Sequence, residues 1–222
     1  MGYEWDFAIV FRDFDLLILG LVNTLKVTGL AILFDVPLGL FLALLRLFGS
    51  CPIKVPVGFL IEFLRSTPPI AQLFWFFFAM PILIGVEIDP FGASVLTFSL
   101  QSSAFFAEVF RGGIISIDQG QWEAAKALNL NFFQTLRLVI LPQAVKFSVA
   151  PTIGFLIQII KGTSLCYIIG FQDLMLIGKR WANSPVPGSE PFIIFPIMAL
   201  LYFCLCYPLA RLAKHIEKKT II

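Results

Sequence analysis

Charge is scarce in this chain. Only 14% of its 222 residues are Asp, Glu, Lys or Arg, where a soluble domain carries roughly a quarter. There is one histidine, His215, and it sits in a basic tail, which argues against a His-based catalytic or metal site. The four cysteines, Cys51, Cys166, Cys204 and Cys206, have no metal-type spacing, and the last two fall in an apolar run. They read as small apolar side chains rather than a disulfide framework. No Gly-x-x-x-x-Gly-Lys-Ser/Thr phosphate loop occurs, so the chain is not expected to bind or hydrolyse ATP. Paired carboxylates, a nucleophile–base set and a metal cluster are also missing, which disfavours an enzyme. The net charge of +2 says nothing about nucleic acid, and none is expected as a partner.

Apolar side chains fill the space left by charge. They make up 59% of the chain, and mean hydropathy is +0.91. The expected class is an all-α integral membrane protein, one domain by length, with about five spans. The spans are expected near 16–45, 66–86, 91–107, 142–160 and 192–210. Met1 to Asp15 is aromatic and acidic without a basic n-region, so it reads as a short extracytoplasmic lead rather than a cleavable signal.

Polar residues inside spans are the candidates for a path. Asp35 lies well within the first apolar run, just before Pro37. An intramembrane carboxylate is costly and faces a protein interior or a wet cavity. It either lines a translocation path or makes structural hydrogen bonds on a buried face. Gln101, Ser102 and Ser103 occupy the third span, where small polar residues serve helix packing or substrate contact. Lys161-Gly162-Thr163-Ser164 interrupts the apolar pattern after the fourth span. A charge, a glycine and two hydroxyls at a helix break suit a midmembrane ligand site, with Lys161, Thr163 and Ser164 as its groups. The alternative is a helix end with a snorkelling lysine. Ser66-Thr67-Pro68-Pro69 should break the chain before the second span, and residues 172–191 should form an outer loop.

One long polar stretch remains, Asp118 to Pro142. It reads as two short helices joined by a tight turn. Asp118 can cap the first helix, with Gln121 reaching back to it. That helix should end near Leu128, with Asn129 in the left-handed conformation. Asn131 and Gln134 form a second capping pair, and Pro142 should close the second helix and open the next. Trp122, Ala125 and Leu128 recur at three-residue spacing, while Glu123 and Lys126 lie elsewhere.

Basic residues set an orientation. The segments 46–65, 111–146 and 211–219 together hold eleven: Arg46, Lys54, Arg65, Arg111, Lys126, Arg137, Lys146, Arg211, Lys214, Lys218 and Lys219. The opposite side has three, Arg12, Lys179 and Arg180. The C-terminus is therefore expected inside and the N-terminus outside.

Glu123-Ala124-Ala125, the turn residue at 129 and Leu141-Pro142 resemble the EAA loop of ABC-importer permeases. The segments Ala107-Glu108-Val109-Phe110-Arg111-Gly112-Gly113-Ile114, Gly120-Gln121-Trp122 and Ile140-Leu141-Pro142-Gln143-Ala144 resemble the polar amino acid uptake branch. So do Glu62-Phe63-Leu64-Arg65-Ser66-Thr67-Pro68 and Lys161-Gly162-Thr163-Ser164-Leu165. The likeness runs from about Leu16 to Lys218. It departs at Asn129, where that loop normally has Gly, and at Gly162, often acidic in the family.

The resemblance implies the permease subunit of a type I importer in a bacterial inner membrane. Two cytoplasmic ATP-binding subunits would hold ATP and magnesium and drive a pair of permeases, this chain with a same or similar copy. An extracytoplasmic binding protein would deliver the ligand, and lipid would surround the spans. The cytoplasmic coupling loop, about 111–141, would seat in an ATPase cleft. Its contact residues would be Gly120, Trp122, Glu123, Ala124, Ala125, Leu128, Asn129 and Pro142, with Trp122, Ala125 and Leu128 packed in the cleft. Lys161 without an adjacent acid favours glutamate, aspartate or glutamine. The alternatives are a basic amino acid or another small polar substrate in the same importer class. An ion-coupled carrier or a channel is the rival class, although it would give the polar helix–turn–helix no purpose.

Overall fold

The computed structural model describes residues 14–184 and 191–220. Among them every regular element is helical. Backbone groups within hydrocarbon must be satisfied internally, and a helix does this within one segment. In chain order the helices are α1 (Phe14–Phe48), α2 (Cys51–Ser66), α3 (Pro69–Ile84), α4 (Pro90–Ile115), α5 (Gln119–Ala127), α6 (Phe132–Ile169), α7 (Leu174–Ala182) and α8 (Pro191–Thr220). Helices α1, α4, α6 and α8 are long and apolar enough to cross a membrane, and α2 with α3 makes a fifth if that pair is one broken span.

The helices run further than the apolar pattern alone predicts. Helix α1 starts two residues early and ends at Phe48. Helix α4 continues past Ala107 to Ile115, so the polar loop begins later than expected. The short helix expected before Arg65 spans the 16 residues Cys51–Ser66. The outer loop expected at 172–191 is in part α7, most of which is buried. The basic residues expected in a separate tail sit on the continuation of α8 to Thr220. Interior hydrogen bonds carry a helix on into polar sequence, so it ends where caps and turns stop it rather than where hydropathy falls. The aromatic lead before Phe14 and the prolines at 185 and 187 lie outside the described residues.

Two prolines are accommodated by the same device. In α3 residues Trp75–Ala79 form a π turn, closed by a hydrogen bond from Met80 N–H to Trp75 C=O, and Pro81 follows. In α6 residues Leu136–Ile140 form a second, closed from Leu141 N–H to Leu136 C=O, and Pro142 follows. Proline offers no N–H and its ring crowds the carbonyl four residues back. A widened turn just before it relieves both problems. Pro142 therefore does not close a helix, as the sequence suggested. The helix runs through it from Phe132 to Ile169.

The chain divides into two compact units, and the four long helices contribute to both. The first comprises residues 1–32, 68–99 and 157–208. Its core gathers Leu17, Leu174, Trp181, Ile194 and Met198, with a second cluster of Leu73, Ala93 and Ile169. Thr24 ties α1 to α7 by accepting a hydrogen bond from Leu174 N–H at 3.2 Å.

The second unit comprises residues 33–67, 100–156 and 209–222. Leu42, Ile61, Leu64, Ala104 and Ala107 form one cluster. Helices α1 and α4 meet closely at Gly39, where an added Cβ would fall 2.6 Å from Phe106 Cβ. Small residues allow this approach where no hydrophobic drive separates helices from lipid. Glu108 accepts from Arg46 of α1 and from Arg111, whose Nε and Nη2 reach its Oε2 at 3.0 and 2.8 Å.

Candidate functional site

The polar loop is built by its caps. Asp118 caps α5 by accepting from Gly120 N–H at 2.6 Å. Gln121 does not complete a capping box. Its side-chain oxygen instead accepts from Gln143 Nε2 at 3.1 Å, and Gln143 also donates to Val139 C=O. Helix α5 ends at Ala127, and Asn129 has a φ of 54°. It is the one non-glycine residue with positive φ among those described. Leu130 N–H reaches back to Ala125 C=O at 3.1 Å, the bond that closes a left-handed C-cap. Asn131 and Gln134 then form a reciprocal capping box, both bonds at 2.9 Å.

This turn is held against the rest of its unit. Ile114, Ile117, Leu136, Ile140 and Ala144 form a buried cluster, joined by Leu44, Leu47 and Trp122. The Phe48 ring contacts Trp122 at 6.2 Å and Phe132 at 4.9 Å.

The predicted face Trp122–Ala125–Leu128 does not act together. Ala125 is buried and Trp122 packs on the subunit's own cluster, whereas Leu128 is 74% exposed. Three-residue steps drift around a 3.6-residue helix, and the last step carries Leu128 past the end of α5. Its outward partner is Phe133, 79% exposed, which the sequence reading missed. The adjacent pair Phe132-Phe133 in a polar stretch was the available signal. Gly120, Glu123, Ala124, Asn129 and Pro142 are exposed, and Glu123 accepts from Gln119 at 3.2 Å within its own helix.

The second set of candidates lies in the other unit. No helix break occurs at Lys161-Gly162-Thr163-Ser164. The α-helical part of α6 reaches Gly162, tightens to a 3-10 helix over Thr163–Ile169 and stops at Gly170 with a φ of 83°. Thr163 and Ser164 hydroxyls donate to Ile160 and Lys161 carbonyls, which replaces the bonds disturbed at such a transition. Thr163 is fully buried. Lys161 and Ser164 line a cavity of about 510 Å³ with Met175, Phe195, Met198 and Tyr202. Among the described residues no carboxylate lines this cavity, and the Lys161 ammonium is the one charge on that lining. Just behind it, an added Cβ at Gly162 would meet Phe98 Cε1 at 2.8 Å. Tyr202, Met175 and Phe98 carry no polar pattern that sequence reading could have singled out.

The remaining candidates belong to the second unit. Asp35 is fully buried, and neither oxygen has a hydrogen-bond partner. Gln101, Ser102 and Ser103 are buried as well. Gln101 donates to Thr67 C=O at 3.3 Å and Ser103 to Leu100 C=O at 2.8 Å. The first bond ties α4 to the end of α2, and the second lies within α4. At the start of α7, Asp173 accepts from Leu176 N–H at 2.8 Å with one oxygen, while the other is buried without a partner. Burial pushes this carboxyl up to about 7.

Apolar helices of membrane length joined to a capped polar helix–turn–helix fit a membrane transport subunit. The chain belongs to the family of binding-protein-dependent transport system inner membrane components, whose model matches residues 35–222. It is 31% identical over 220 residues to the probable amino-acid ABC transporter permease YckA of Bacillus subtilis, covering 98% of this chain and 94% of the relative. It is 34% identical to the putative glutamine transport system permease GlnP of Rickettsia felis, covering 91% and 92%. It is 31% identical to the arginine transport system permease ArtQ of B. subtilis, covering 96% of each. A crystal structure of an amino acid ABC transporter with histidines superposes with a TM-score of 0.87 at 32% identity, covering 99% of this chain and all of the other.

The chain is thus an amino-acid ABC transporter permease, a non-catalytic inner-membrane subunit. The carrier and channel readings fall with that assignment.

Proposed function

We propose that this permease forms half of the translocation path of a polar amino acid importer and is driven through the α5–turn–α6 loop. The observation that carries this reading is the pair Leu128 and Phe133. Both are large, apolar and more than 70% exposed, on either side of a turn set by Asn129 and the Asn131–Gln134 box. Large apolar side chains presented on a rigid polar frame mark a protein contact. In this importer class the contact is the cleft of a cytoplasmic ATPase subunit, one of two, which hold ATP and magnesium. The eleven basic residues support a cytoplasmic loop and C-terminus with the N-terminus outside. A second permease, same or similar, completes the path, and an extracytoplasmic binding protein delivers the ligand.

The substrate we favour is glutamate, aspartate or glutamine. Among the described residues no acid shares the cavity with Lys161, and an ammonium there attracts a carboxylate and repels a cationic side chain. A basic amino acid is the second reading, favoured by the arginine-named relative.

The test is reconstitution of the subunit with its partner ATPase and binding protein in liposomes, with uptake of labelled glutamine, glutamate and arginine. Lys161→Ala should cut uptake of the acidic ligand more than that of arginine. Unchanged preference in that variant would remove the substrate reading and leave the coupling reading in place.

A further inference from the structure

The coupling loop is joined by the chain to only two long helices. Helix α4 leads into α5 through Ser116–Asp118, and α6 starts at Phe132. Helix α1 ends more than seventy residues earlier in the sequence, yet its last turn reaches the loop. Leu44 and Leu47 pack on the cluster of Ile114, Ile117, Leu136 and Ile140. Phe48, the final residue of α1, puts its ring between the two helices of the loop. It lies 6.2 Å from Trp122 of α5, tilted by 54°, and 4.9 Å from Phe132 of α6, edge-on at 75°. Such tilted and edge-on geometries are the favourable ones for aromatic pairs. Two residues back from the ring, Arg46 is ion-paired to Glu108 of α4, which Arg111 also holds.

We infer that Phe48 is the positioning residue that makes the first span follow the coupling loop. This inference rests on the coupling reading above. The α5–α6 turn is locked by its own caps and by Gln121–Gln143, so it moves as a piece. A displacement of that piece passes to α4 and α6 through the backbone. It reaches α1 through side chains, and the ring of Phe48 contacts both halves of the loop. Phe48 and Phe132 meet at the edge of the unit, 41% and 46% exposed, and the buried cluster behind them, on which Leu44 and Leu47 pack, has the low compressibility that transmits displacement rather than absorbing it. The Arg46–Glu108–Arg111 group beside it keeps the ends of α1 and α4 in register.

The test uses the complete transporter in liposomes, with Phe48→Ala, Phe48→Leu and Phe48→Tyr. Each is measured for ATPase co-purification, unstimulated ATP hydrolysis, stimulation by liganded binding protein, and amino acid taken up per ATP. With Phe48→Ala the ATPase should still co-purify and the unstimulated rate should stay within about twofold. Uptake per ATP should fall about tenfold, within the usual range for coupling between two sites. Phe48→Tyr, which keeps the ring, should restore it, and Phe48→Leu should follow Phe48→Ala. Phe48→Leu carries the same criterion if the alanine variant does not fold. Normal uptake per ATP in the ring-less variants overturns the inference, and so does loss of ATPase binding, which would make Phe48 a docking support only. Failure of Phe48→Tyr to restore coupling also overturns it. If the unaltered subunit retains no ATPase, the coupling reading itself fails, and this inference with it.

Discussion

The ring of Phe98 lies against Gly162 so closely that a Cβ on residue 162 would come within 2.8 Å of its Cε1 atom. Glycine at this position lets the ring occupy space that an acidic side chain beside Lys161 would need. The lack of an acid at 162 beside Lys161 and the close packing of Phe98 on α6 are therefore two results of one residue choice. Gly162→Asp alone should overpack the site, at a cost of roughly 1–3 kcal/mol, read as a lower thermal midpoint in detergent. Adding Phe98→Leu should recover much of that stability. In the double variant, uptake should shift from glutamate toward arginine, because the new carboxylate neutralises Lys161. An unchanged ratio would separate the cavity from substrate choice.

Asn129 holds the coupling turn in a left-handed conformation. Asn129→Gly should leave stability and coupling nearly unchanged, since glycine takes that backbone freely. Asn129→Val should destabilise the turn by roughly 1–2 kcal/mol and lower binding-protein-stimulated ATP hydrolysis. Equal stimulation in both variants would show that the turn geometry does not matter for coupling.

Leu128 and Phe133 are outward-facing, so their replacement should spare the fold and weaken the complex. Leu128→Ser and Phe133→Ser should each cost roughly 2 kcal/mol of association with the ATPase subunit, close to thirtyfold. Pull-down against graded salt and detergent would read this. Trp122→Ala should act differently, lowering the thermal midpoint of the isolated subunit, because that ring packs inward.

Asp173 caps α7 with one oxygen and buries the other without a partner. Its folded value of about 7 lies above the unfolded value of 3.8. The folded state therefore binds more protons between those limits. The stability this group contributes is fully present below about pH 4 and is lost as pH rises through 7. Asp173→Asn keeps the capping oxygen and removes the titration. It should be the more stable form at pH 8, by no more than about 4 kcal/mol, and should flatten the fall in thermal midpoint between pH 4 and 7. Parallel curves for the two proteins would contradict this account of the cap.

Much of the fold was legible in the sequence because the physics involved is local. Apolar runs of membrane length announce spans, since a helix alone can satisfy its backbone in hydrocarbon. Asn129, Asn131 and Gln134 announce a turn and a cap, since their side chains act within three residues. Helix ends were misjudged where hydrogen bonding carried the helix onward, as in α4 past Ala107 and α8 past Ala210. Pro142 reads as a stop because a proline usually is one, but the five-residue π turn Leu136–Ile140 absorbs it.

The site divides along the same line. The sequence by itself determined that this is a helical membrane protein, that its long polar loop is a capped helix–turn–helix, and that no acid adjoins Lys161 in the chain. Tertiary structure alone decided which loop residues face outward. Trp122 and Ala125 turn to the core, and Leu128 and Phe133 are left exposed, because the end of α1 supplies a packing surface from a distant part of the chain. Phe48 reaches Trp122, Phe98 fills the space at Gly162, and Tyr202 joins Lys161 at one cavity through folding rather than spacing. Contacts between residues far apart in sequence leave no periodic trace in it, and only the packed helices bring them together.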